Sequence, residues 1–222
     1  MPAGTFPGMA NLSYLFVTDH DGICPAWAGA PGVAEQVLAE DVAAVPLLWL
    51  AMFRPGDLVT ATFPSDDEDE GDVAVTAPIA PRRRALDQLD AALPALARIF
   101  AAEGPLHEHA ALLRAGVAAM PGRFVTVDPY EIAVLVDERE FYDTLRAGLA
   151  ALDQPGDPAA ARRHLTDLAQ LRAGRPFPPA RLVLDQLPAA EDDWWNHGRL
   201  LGAGVRGPAP WEREAAEPAV RG

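Results

Sequence analysis

Directly after the apolar run at residues 11–18 (NLSYLFVT) come Asp19, His20, Asp21 and Gly22. Two carboxylates two residues apart at the end of a strand can share one Mg²⁺ ion. Carboxylates so placed are the residue type that metal-assisted chemistry uses, and here they would be Asp19 and Asp21. The plainer reading is a turn, because Asp and Gly end strands without any chemistry. The residues also open like a calcium loop, but the glycine comes too early and no glutamate stands at the required distance.

Other reactive residue types form weaker patterns. His107-Glu108-His109 could suggest a metal, yet two histidines two apart share a face on a strand and not on a helix. The segment is helical by pattern, so solvated residues at a helix start are expected there. Glu103 and His107 are four apart, but Gly104–Pro105 is expected to break the helix between them. Ser13 has no Gly-x-Ser-x-Gly elbow around it. Cys24 is the single cysteine, which excludes an intrachain disulfide and a cysteine-based zinc site. Gly202-Ala203-Gly204 has no strand before it and no helix after it, as a phosphate loop would require. The chain contains no lysine: all 18 of its Lys+Arg residues are arginine. P-loop, Schiff-base and kinase-type lysine chemistry are therefore absent. No catalytic residues, metal or cofactor are assigned.

Two features suit binding better than catalysis. Asp66, Asp67, Glu68, Asp69, Glu70 and Asp72 form the densest charge cluster, in a segment that cannot pack and should be solvated. It is either a docking surface for a basic partner or a solubilising hairpin tip. Trp194 and Trp195 are adjacent, so both cannot lie on one face of a helix or strand; one can pack while the other meets a partner. Net charge is −14, which opposes non-specific binding to nucleic acid or anionic membrane and favours a basic protein partner. The uncharged, strongly apolar stretch at residues 42–53 is too short to span a bilayer. With one cysteine and no export signal in residues 1–8, a cytoplasmic location is expected.

The elements that must hold these residues can be read from periodicity. Residues 11–18 read as a strand. Val33, Val37, Leu38 and Val42 recur at helical spacing, and Pro46 should kink or restart that helix. Residues 47–53 (LLWLAMF) read as a buried helix. Residues 58–63 alternate as a half-buried strand and residues 73–76 return, with the acidic segment between them. Arg82–Arg84 open a helix with its core stripe from Leu86 to Phe100, which Pro94 is expected to kink, and another helix runs from Pro105 to Val117. Residues 124–136 (FVTVDPYEIAVLV) are expected to hold one or two strands. Asp128–Pro129 would be a turn or bulge, and residues 132–136 would be central in the sheet. Phe141, Leu145, Leu149 and Leu152 mark another helix, and Asp157–Pro158 caps and opens the next. Residues 181–187 could add a strand and residues 191–201 a short helix.

The strand ending in Asp-x-Asp-Gly resembles haloacid-dehalogenase-like phosphatases, in which the first Asp is the nucleophile and the second the acid/base. That family has threonine after the glycine, where this chain has Ile23. From Met9 the chain reads Met-Ala-Asn-Leu-Ser-Tyr-Leu-Phe. This resembles a family of bacterial proteins, a domain of unknown function, whose members begin Met-Ala-Asn-x-Ser-Tyr-Leu followed by Tyr or Phe. Val45-Pro46-Leu47 and the Phe-Val-Thr-Val strand at residues 124–127 extend the likeness. The resemblance implies an architecture and a gene start at Met9, without a mechanism.

The fold expected is α+β, or mixed α/β, with about four or five strands covered by four or five helices. Residues 1–8 would be a disordered leader or a mis-assigned start, and 9–174 one globular domain. Residues 175–204 would be a Pro/Gly-rich extension packed on it, and 205–222 a flexible tail. The function expected is non-catalytic protein binding, of an immunity or antitoxin-like kind, with the acidic hairpin toward a basic partner. The alternative is a Mg²⁺-dependent phosphatase using Asp19 and Asp21.

Overall fold

The computed structural model describes residues 11–23, 36–64, 71–154, 156–180 and 191–203. The architecture is α+β. A five-stranded sheet carries β1 (Leu12–Thr18), β2 (Val37–Val42), β3 (Leu58–Phe63), β4 (Val73–Pro81) and β5 (Phe124–Asp128). Its order is β2-β1-β5-β4-β3, and every neighbouring pair is antiparallel. Strand alternation decides which side chains meet the helices. Leu15 and Val17 of β1 and Val125 and Val127 of β5 are fully buried in the main core. Tyr14 and Phe16 point to the other face, where Ile23, Val75 and Ala77 form a smaller cluster with Phe63 and Tyr130 packed on it.

The register fixes which chain ends share one end of the sheet. Leu12 is opposite Val42, Tyr14 is opposite Asp128, and Phe63 is opposite Val73. The end of β2, the end of β5 and the far end of the β3–β4 hairpin therefore all face the same way.

The helices are α1 (Leu47–Ala51), α2 (Arg82–Phe100), α3 (Glu103–Ala119), α4 (Tyr130–Leu135), α5 (Glu138–Asp153), α6 (Pro158–Ala169) and α7 (Glu191–Leu201). The core stripe of α2 continues through Pro94, which sits inside the helix. Every residue of α1 is buried, as an all-apolar helix requires, and Pro46 is its N-cap. Asp157 caps α6 by accepting the Ala159 amide at 3.0 Å, with Pro158 as the first helical residue. Just after α1, the buried Asp57 carboxylate accepts from the Arg54 amide, the Gln88 amide group and the Arg84 guanidinium, pinning the α1 exit to α2. At the other end of the chain, Leu200 and Leu201 are fully buried in the main core, and the Trp49 indole N–H donates to the Leu201 carbonyl. Glu40 and Ala203 exchange both backbone hydrogen bonds, so the chain after α7 caps the free edge of β2.

Four expectations are corrected. Residues 37–42 form a strand where helical spacing predicts a helix; pairing with β1 satisfies their backbone groups, and so short an apolar run fits either period. The helix α3 starts at Glu103, so Gly104–Pro105 lies in its first turn, where the missing proline N–H costs nothing. His109, expected at a solvated helix start, is fully buried. Residues 132–136, expected as a central strand, belong to α4 and the residue after it. The expected strand at 181–187, the leader at 1–8 and the tail at 205–222 lie outside the described residues.

Candidate binding groove

The candidate site begins where β5 ends. Pro129 has no N–H for the ladder, and the Asp128 carboxylate accepts the Tyr130 amide at 3.0 Å. The chain therefore leaves the sheet and turns into α4. The Glu131 carboxylate ties this helix back to the sheet by accepting the Leu12 amide at 2.8 Å. On α4, Ile132 and Ala133 are buried. The next three residues are not: Val134, Leu135 and Val136 are 49%, 52% and 58% exposed. Single apolar residues on a surface need no explanation, but three in succession do.

Leu135 and Val136 of this strip, with Ile132, form one wall of a groove of about 510 Å³. Ile132, Leu135 and Val136 face Phe141 and Thr144 of α5, Leu168 near the end of α6, and Ala43 just after β2. The polar lining besides Thr144 is Glu140, Asp167 and Gln170. Two rim residues, Ala43 (φ 56°) and Gln170 (φ 49°), hold left-handed backbone without being glycine. Gln170 does so as the C-cap of α6, a common way for a helix to end. A more open depression of about 380 Å³ adjoins the groove, because Glu140 and Thr144 line both. It adds Asp137, Arg139, Asp143 and His164. Asp137 also caps α5 through the Glu140 amide, and Asp143 pairs with Arg146 at 3.2 Å.

Beside the rim, the Trp195 indole N–H donates to the Gln170 carbonyl at 2.9 Å. The Arg172 and Arg199 guanidinium carbons each lie 4.4 Å from the centroid of its ring. Arg199 in turn donates to the Asp41 carboxylate at 2.7 Å. Burial raises the Asp41 pKa above the usual carboxylate range, and Arg199 pulls against that shift. Trp195, singled out from the sequence, is 37% exposed and borders the groove through Gln170. Nothing is described of the Trp194 side chain.

The other candidate residues are dispersed. Asp19 and Asp21 lie on an exposed turn, and Asp19 meets Arg123 at 3.3 Å with both side chains about three-quarters exposed. An ion pair so solvated contributes little. Among the described residues no group of three or more His, Cys, Asp or Glu converges as a metal site. Ser13 is buried and donates to the Ala44 carbonyl. Glu103 and His107 are exposed on α3. Asp72 is exposed just before β4, while Asp66, Asp67, Glu68, Asp69, Glu70 and Cys24 lie outside the described residues.

The perturbed histidines are internal. The His109 ring nitrogen Nε2 donates to the Pro178 carbonyl at 2.8 Å, and the ring packs against His197 with centroids 4.8 Å apart and planes tilted by 51°. That bond places the proton of neutral His109 on Nε2. Burial holds both pKa values below the ordinary histidine range, His197 at about 3, where the neighbouring His109 adds to the effect. Tyr14 is pushed up to about 12 by burial, with Glu131, Glu40 and Asp128 adding to it. These groups are held in the fold and are not aimed into the groove. Sequence reasoning missed the groove because it assigned residues 132–136 to the sheet. The signal that could have found it was Asp128-Pro129, an Asx start followed by a residue unable to continue a central strand. In comparisons with known proteins, no family model, no curated protein and no solved structure matches this chain.

Proposed function

We propose that this chain is a non-catalytic protein-binding protein and that it binds through the groove beside α4. The carrying observation is the solvent-exposed run Val134–Leu135–Val136, of which Leu135 and Val136 line the groove. Association with a partner would remove that surface from water at a gain of roughly 25 cal/mol per Å². Two further facts support a basic partner. The chain carries a net charge of −14. The β3–β4 hairpin, whose connecting segment is acidic in sequence, ends at the same end of the sheet as the groove. The two sheet edges are four strand spacings apart, ~19 Å, which one partner surface can span. An immunity or antitoxin-like role, in which an acidic protein neutralises a basic one, fits this arrangement.

Leu135→Asp tests the reading, since an exposed side chain can be replaced with little effect on folding. Wild type and variant are each used to capture protein from extracts of the source cells. We expect at least one protein retained by wild type and lost by the variant, at unchanged melting temperature. Identical capture by the two would sink the groove as the binding site.

A further inference from the structure

Resting on that reading, we infer that the groove receives a short segment of another protein in which an apolar side chain is followed closely by an arginine or lysine. The apolar side chain would lie against Leu135, Val136, Phe141 and Leu168, and the basic one would enter the adjoining depression. The two compartments are neighbours rather than separate sites because Glu140 and Thr144 line both. The depression presents the carboxylates of Asp137 (which also caps α5), Glu140 and Asp143 against one lining guanidinium, Arg139, and the imidazole of His164. Arg146 partly offsets Asp143. Asp167 adds a further carboxylate to the groove itself. An apolar wall joined to a net-acidic recess matches a ligand that is apolar at one point and cationic at the next.

A second copy of this chain is the poorer occupant. Each copy carries −14 and would bring the same carboxylates against one another. An acidic or wholly apolar segment would leave the recess unpaired. The basic side chain would gain most at low ionic strength, because the recess is open to solvent and its field is screened by salt.

The test selects a displayed library of random linear peptides against the full-length protein, then measures the recovered peptides on four proteins. These are wild type, Leu135→Asp, the double variant Glu140→Gln with Asp143→Asn, and Val59→Asp on edge strand β3 as a control remote from the groove. We expect peptides pairing an apolar residue with a nearby Arg or Lys. Leu135→Asp should abolish their binding and the double variant should weaken it about tenfold at low salt, a difference that shrinks as salt rises. The control should bind like wild type. Peptides lost with Leu135→Asp but without basic residues, and indifferent to the double variant, would overturn this inference and leave the groove standing as a binding site. Peptides unaffected by Leu135→Asp, or no binders at all, would overturn both. A rise in molecular mass at working concentration, abolished by Leu135→Asp, would replace the foreign segment with a second copy.

Discussion

His109 and His197 show how far a single side chain's role depends on its surroundings. Sequence reasoning places His109 on a wet helix start, yet it is sealed between α3 and α7 with its one proton spent on the Pro178 carbonyl. Its Nδ1 has no hydrogen-bond partner among the described residues, so a second proton would have no acceptor there. Both histidines are therefore neutral in the fold, with folded pKa values below the unfolded value of about 6.5. Depressed values mean that the unfolded chain binds protons first. The stability is complete above about pH 6.5 and is lost as pH falls from there toward the folded values, about 3 for His197. Each buried histidine costs up to ~1.4 kcal/mol per pH unit in that window. Melting temperature should therefore drop between pH 7 and pH 5, before most carboxylates titrate. His109→Gln with His197→Gln, whatever its absolute stability, should flatten that slope; an unchanged slope would show that other groups carry it.

At the scale of elements, the last residues of α4 and the residues flanking the β3–β4 connection, Pro64, Gly71 and Asp72, offer surface rather than core. Short α4 buries only its first turn and leaves its last residues in solvent. The hairpin register runs from Leu58 opposite Pro78 to Phe63 opposite Val73. Replacing Asp66, Asp67, Glu68, Asp69 and Glu70 with serine or asparagine should leave the melting temperature within a few degrees of wild type. Clustered like charges stabilise nothing by themselves and repel one another. If these carboxylates steer a basic partner, the replacement should slow association about tenfold at low salt, with the gap closing at high salt. Stopped-flow association rates with the captured partner decide this, and equal low-salt rates would reduce the segment to a solubilising tip.

For the whole molecule, the last described helix, α7, is a clasp. Two buried leucines of α7, the Trp49–Leu201 hydrogen bond and the Glu40–Ala203 exchange join the last described element to both α1 and the edge of the sheet. Gly202 makes the junction possible. Its φ is +73°, and a Cβ there would come within 2.4 Å of the Trp49 ring and 2.8 Å of the Glu40 carbonyl oxygen. Gly202→Ala should therefore cost about 2 kcal/mol or more. Denaturant melts of wild type and variant measure this, and a loss below 0.5 kcal/mol, roughly the size of an ordinary surface change, would mean that the junction yields. Arg199, Trp195 and Asp41 extend the same clasp to the groove rim. Loosening it is expected to weaken groove binding as well as stability.

Sequence alone determined the parts whose signal is local. The buried strand β1, the alternating strand β3, the apolar α1, the core stripes of α2 and α5 and the Asp157–Pro158 start of α6 all appear as their composition, spacing and capping require. Each depends on contacts within a few residues, so one chain segment carries the whole instruction. Tertiary structure alone decided the rest. Val37–Val42 fits either period, and only an edge of β1 awaiting a partner makes it a strand. Residues 132–136 are apolar enough for a central strand, yet β1 and β4 already hold both sides of β5, so the chain leaves the sheet at Pro129 and its apolar residues emerge as a groove wall. The groove itself joins Ala43, α4, α5 and Gln170, which lie far apart in sequence. A surface assembled from separate segments has no spacing to read, because hydrophobic patterning records whether a residue can be buried and not which neighbours arrive to bury it.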